Sequence, residues 1–256
     1  MCNSVLNNSD PIKYILARFF RIIPALLILL LVTSYIIGPL ITSLPLSEYF
    51  SSPQVNAYLV TNLNLLTSAS YSLPGVFLDN HYPNVVNGSL WTLSREIEMY
   101  LYLLGLSSIG LLKNRIIASI FFTAVILLPI TKQQWFFDMY SSNPEVYYLP
   151  MSFAFGSMLA LWKDNISLGA KQLFGLIILT YLLSDSDLGQ TLFYLTTFIF
   201  VLFISYRDIF RIPKLNFDIS YGVYIYGFLI QQSVSFFFQK KVFYLTLLYH
   251  LLFVIQ

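Results

Sequence analysis

Between Ile22 and Ser94 the chain carries no lysine or arginine, and the first sixteen residues of that gap, IIPALLILLLVTSYII from Ile22 to Ile37, carry no charge of either sign. With Ile15 to Phe20 in front, more than twenty positions are broken only by Arg18 and Arg21. A helix rising 1.5 Å per residue crosses a roughly 30 Å hydrocarbon layer in about twenty residues. An unpaired backbone polar group costs several kcal/mol in hydrocarbon, so the spanning form is predicted to be helical. Composition points the same way: 57% of the residues are apolar and 10% charged, where roughly 25% charge is usual. The 23 Phe and 19 Tyr exceed the 14 basic and 12 acidic side chains. Such a surface is expected to exclude a soluble globular protein, a disordered tail and a nucleic-acid binder. The single cysteine, Cys2, excludes an internal disulfide framework and a cysteine-based metal cluster. The ten-residue alternation of an outer-membrane barrel is not sustained.

Seven further helical segments are predicted: about Ser89 to Leu112, Ile116 to Ile130, Tyr147 to Trp162, Gln172 to Leu183, Leu188 to Tyr206, Ile219 to Phe238 and Val242 to Ile255. The expected fold is an all-α, polytopic transmembrane helical bundle of about eight helices in one domain, 1–256. Its first helix covers 14–37, a long extracytoplasmic loop 38–88, and the remaining helices 89–256. With the N-terminus cytoplasmic, Lys13, Arg18, Arg21, Lys113, Arg115, Lys163, Lys171, Arg207, Arg211 and Lys214 face inward, and only Lys132, Lys240 and Lys241 lie outside. Within the long loop, five prolines fix a shaped surface, Tyr58 to Leu66 reads as an interfacial helix, and Ser72 to Phe77 as a tip that caps the helices.

Ionisable residues inside apolar segments mark candidate chemistry. Arg18 and Arg21 are three apart and share a helix face. They read either as snorkelling anchors or as a clamp for phosphates, which suits the planar guanidinium fork. Glu96 lies seven residues beyond Ser89, about 10 Å along a helix axis. It has Thr92 and Tyr100 four residues to either side, and Arg95 is spaced to pair with Glu98. Glu96 reads as a helix-cementing contact or as the lining of a reaction cavity. In SYGVYIYGFLIQQ, Ser220 to Gln232, Tyr221 and Tyr224 share a face, and Gln231 and Gln232 lie deep enough to need partners. His81 and His250 have no metal-ligand or catalytic spacing, and no zinc, phosphate-loop or nucleophile-elbow motif is present.

Five stretches carry a resemblance: ARFFRIIPAL (Ala17–Leu26), GPLITSLPLSEYF (Gly38–Phe50), YSLPGVF (Tyr71–Phe77), NGSLWTLSREIEMYL (Asn87–Leu101) and DISYGVYIYGFLIQQ (Asp218–Gln232). In this order they resemble the acyltransferase-3 family of integral membrane O-acyltransferases, which includes bacterial polysaccharide and O-antigen acetylases. The resemblance implies transfer of an acyl group, usually acetyl, from acyl-CoA to a hydroxyl of a cell-surface or lipid-linked glycan. It implies an enzyme in a bacterial inner membrane, multi-pass, with the lipid bilayer, acyl-CoA and a glycan acceptor as partners and no nucleic acid. No cofactor or metal is expected to be bound; acetyl-CoA is a co-substrate. By the resemblance, Arg18 and Arg21 handle the acyl donor and Glu96 is the acidic residue behind the LWTL box. Asn87 and Trp91 shape the acceptor cavity, which Tyr100 and Tyr224 are expected to join. Two helices, the first bearing an Arg and a His, normally precede the arginine pair in that family. Here Met1 lies seventeen residues before Arg18, so an N-terminally incomplete domain is expected. A lipid-linked glycan flippase, with Glu96 on the path, and a non-catalytic membrane scaffold are the alternatives.

Overall fold

The computed structural model describes residues 10–65, 69–128, 148–166, 169–186, 188–206 and 220–238. The expected final segment 242–255 lies outside these residues. So do His250, Asp218, Lys132, Arg207, Arg211, Lys214, Lys240 and Lys241.

Helix α1, Pro11–Val32, starts where Asp10 Oδ1 accepts from the Ile12 and Lys13 amides at 3.0 and 3.4 Å, with Pro11 in the first turn. It continues through a π-helical turn, Thr33–Ile37, and a last α-turn, Gly38–Ile41. Then follow α2 (Leu46–Ser51) and α3 (Pro53–Leu63), so the expected interfacial helix starts earlier and ends sooner than its apolar residues suggested. A 3-10 turn, Gly88–Leu90, leads into α4 (Trp91–Ser108). The remaining described helices are α5 (Arg115–Leu127), α6 (Tyr148–Leu161), α7 (Ala170–Leu182), α8 (Gly189–Tyr206) and α9 (Ser220–Phe237).

The chain divides into two compact units. The described residues of one fall within Asp10–Glu98 and 220–238. There α1 packs against α3 and α9, and α9 packs against the Gly88–Leu90 turn. The loop tip of Ser72 to Phe77 is inside this unit: Leu73, Val76 and Phe77 are buried, and Thr42 donates to the Pro74 carbonyl at 2.7 Å. Phe77 sits at φ +55 and Gly75 at φ +67. Left-handed backbone is ordinary for glycine but costly for phenylalanine, and here the buried ring stands edge-on to Phe236. The described residues of the other unit fall within 99–206. Gly110, also left-handed, turns the chain after α4, and Asn114 caps α5 through the Ile116 and Ile117 amides. Helices α5 and α6 pack together, tied by Trp162 Nε1 donating to Ser119 Oγ at 2.7 Å. Helices α7 and α8 pack likewise, with Thr180 and Thr196 hydroxyls in contact at 2.7 Å.

The expectation of eight membrane-spanning helices is corrected. Among the described residues one helix, Pro11–Ile41, is long and apolar enough to cross a membrane. Arg115–Leu127, Tyr148–Leu161, Ala170–Leu182 and Gly189–Ser205 are apolar but shorter. Thirteen residues, the length of α5, rise about 20 Å, short of a roughly 30 Å hydrocarbon layer. Helix α4 carries Arg95, Glu96 and Glu98, and α9 carries Gln231 and Gln232, which lower their apolar character. The multi-pass inner-membrane location and the lipid bilayer as partner therefore lose their support.

Candidate functional site

The candidate residues converge on α9. Asn87, extended at φ −145°, accepts from the Ser89 amide at 3.0 Å and so sets the 3-10 turn that opens α4. Its Nδ2 donates to the Ile225 carbonyl of α9 at 2.7 Å. Asn87 is fully buried, and this is how a polar side chain is kept there. Gly88 follows because α9 is close: a Cβ at Gly88 would stand 2.7 Å from the Phe228 ring. The loop is held further along by Gln232, 2% exposed. Gln232 Nε2 donates to the Tyr82 and Val85 carbonyls at 2.7 and 2.5 Å, and Asn80 Nδ2 donates to Gln232 Oε1 at 3.1 Å and to its carbonyl at 2.8 Å.

This clasp places the first turns of α4 beside Tyr224. The Thr92 and Tyr224 hydroxyls are in direct contact, and both reach the Ser89 carbonyl, at 3.3 and 3.2 Å. Glu96 follows Thr92 by one turn on the same face. Burial pushes the Tyr224 phenol well above its ordinary pKa; the Thr92 hydrogen bond opposes that shift, and the negative charge of Glu96 adds to it. Tyr224 is therefore a neutral phenol. Arg95 Nη1 is 3.0 Å from each Glu98 carboxylate oxygen, as the spacing led one to expect.

Arg18 and Arg21 share a face of α1, both partly buried. The Arg18 guanidinium lies 5.4 Å from the Tyr14 ring centroid. Arg21 donates to Ser220 Oγ at 3.4 Å, at the described start of α9. On the same two helices Tyr226 donates to the Ala25 carbonyl at 3.5 Å. The unit thus contains Arg18, Arg21, Asn87, Trp91, Glu96 and Tyr224. Tyr100, one turn beyond Glu96 along α4, is buried. His81 is exposed, its ring edge-on to Tyr82. Among the described residues no group of His, Cys, Asp and Glu is placed to hold a metal. Sequence reasoning missed Asn80 and Ser220. The need of Gln232 for partners was legible, but no local signal pairs it with a loop some 150 residues earlier.

The chain is 26% identical over 244 residues to an O-acetyl transferase of Shigella phage Sf6, across 90% of this chain and 69% of that protein. No family model matches the chain. No solved structure matches it. These findings correct the family reading. Membership of the acyltransferase-3 family has no matching model behind it, and the fold has one long apolar helix among the described residues where a polytopic enzyme was expected. Membrane-embedded transfer to a cell-surface or lipid-linked glycan, and its flippase and scaffold alternatives, fall with that architecture. A distant sequence relationship to an O-acetyl transferase is what remains.

Proposed function

We propose that this chain transfers an acetyl group to a hydroxyl oxygen, with Glu96 taking the acceptor's proton. The observation that supports this most is the alignment with the phage O-acetyl transferase over nine-tenths of the chain. The geometry is compatible with it, since Glu96 follows Thr92 by one turn of α4 and Thr92 touches the Tyr224 hydroxyl. In the reaction the acceptor oxygen attacks the acetyl thioester carbonyl. The C–O bond forms, the C–S bond breaks, the acceptor proton passes to Glu96, and the thiolate is protonated on release. Acetyl-CoA is the proposed donor. Arg18 and Arg21 hold its phosphates, a task for which paired guanidinium donors are suited. Asn87 acts from within the wall, by fixing the turn that presents Thr92 and Glu96, and the half-buried Trp91 borders it.

The test is release of free CoA thiol and incorporation of radiolabelled acetyl into a panel of hydroxylated small molecules. Glu96→Gln is expected to lose about 10²–10⁴-fold in kcat. Arg18→Ala and Arg21→Ala are expected to raise KM for acetyl-CoA about tenfold or more, with a smaller effect on kcat. No transfer by the wild-type chain, or full activity in Glu96→Gln, overturns the reading.

A further inference from the structure

Tyr14 stands near the start of α1, one turn before Arg18, and is 3% exposed. Its ring is in place before any ligand arrives. Packing buries it, and its amide donates to the Asp10 carbonyl at 3.2 Å, which fixes the backbone beneath it. The Arg18 guanidinium carbon lies over that ring, 5.4 Å from the centroid. A cation within about 6 Å of an aromatic centroid is drawn to the negative face of the ring. The manner of this hold matters at a phosphate site. A carboxylate fixes an arginine and cancels its charge, whereas a ring face fixes it and leaves the charge whole. An arginine that is ordered only when its ligand binds gives up about three- to tenfold in affinity to that ordering. Arg21, on the same face of α1, is tied in another way, by Nη2 donating to Ser220 Oγ.

We infer that Tyr14 is a positioning residue for the donor site: its buried ring holds the Arg18 guanidinium in place with its charge intact, so that the phosphates of acetyl-CoA meet a group already set. This rests on the reading in which Arg18 holds the donor's phosphates. The face of the ring does the holding, and the phenol oxygen is not needed for it.

Binding of coenzyme A to the full chain, followed by isothermal titration calorimetry, tests this without turnover. Tyr14→Phe keeps the ring face and is expected to bind within about twofold of the wild type. Tyr14→Leu, apolar but without a quadrupole, is expected to bind about three- to tenfold more weakly. In an Arg18→Ala background the same Tyr14→Leu change is expected to add nothing, an outcome that a merely structural role for Tyr14 does not give. Pentafluorophenylalanine at position 14 keeps the shape of the buried ring and reverses the sign of its face, so it tests the hold even where Tyr14→Leu fails to fold. It is expected to weaken binding as Tyr14→Leu does. Equal affinity of the pentafluoro and Phe variants, or an undiminished effect of Tyr14→Leu in the Arg18→Ala background, overturns the proposal. A wild-type chain that does not bind coenzyme A overturns both the proposal and the donor reading. Binding that is lost in Arg18→Ala but ignores the ring chemistry at position 14 rejects the positioning role and leaves the donor site standing. Binding that follows the ring chemistry, with no acetyl transfer by the same samples, supports the positioning role and rejects acetyl transfer.

Discussion

Gly38 and Tyr49 show how single atoms decide the local structure. The π-helical turn Thr33–Ile37 displaces the helix backbone, and Tyr49 donates to the buried Ser34 carbonyl at 2.9 Å. Any Cβ at Gly38 would collide with the Tyr49 hydroxyl. Gly38→Ala should therefore cost about 1–3 kcal/mol, read as a lower urea midpoint with unchanged slope. The Tyr49 phenol is pushed up to about 12, by burial first and by neighbouring Tyr35 second. The unfolded chain releases that proton near 10. Between those values the folded state binds more protons, so the stability present below pH 10 falls as pH rises to about 12. Tyr49→Phe should flatten that decline, and urea melts at pH 9 and pH 11 measure it. In sequence, the Gly-Pro pair at Gly38–Pro39 reads as the end of a helix. The chain continues to Ile41 because the glycine is needed for close approach, and that need is set by Tyr49, which no local pattern reveals.

At the scale of elements, α9 is the spine of its unit, and Gln232 is its strongest tie to the loop. Gln232→Leu would remove one of the Asn80 amide's two bonds and leave the Tyr82 and Val85 carbonyls without theirs. Each buried polar group left so costs about 1–3 kcal/mol. The expected outcome is a loss of at least about 2 kcal/mol in urea unfolding, with faster chymotryptic cleavage around Tyr82. A variant as stable as the wild type would show that the clasp carries no weight. Helix positions were largely readable from apolar runs, though the Asn114 cap of α5 was not read in advance. Helix lengths were less so: the segment expected over Ser89 to Leu112 stops at Ser108 because Gly110 turns the chain, and those expected over Ile116 to Ile130 and Tyr147 to Trp162 give described helices of 13 and 14 residues.

Across the whole molecule the apolar excess remains visible. Ile12, Phe20, Leu40, Val60, Ile109, Phe174 and Tyr181 are each at least two-thirds exposed or close to it, among many others. Exposed apolar surface on this scale marks contact or association. In aqueous buffer without solubilising additive, sedimentation is expected to give species heavier than the 29.5 kDa chain; a sharp monomer boundary would contradict this. The same excess explains why composition misled about architecture. It reports how much apolar surface the chain has, and not how that surface is divided among helices.

The Gln232 clasp also fixes a timetable. It joins residues 150 and 147 positions apart. A nascent chain emerging at about 5–20 residues per second therefore holds its loop without an anchor for roughly seven to thirty seconds. The packing around Thr92 and Glu96 is completed only when the last described helix leaves the ribosome, so a transcript cut short before that point yields a product in which Tyr224 and Gln232 are missing from that unit.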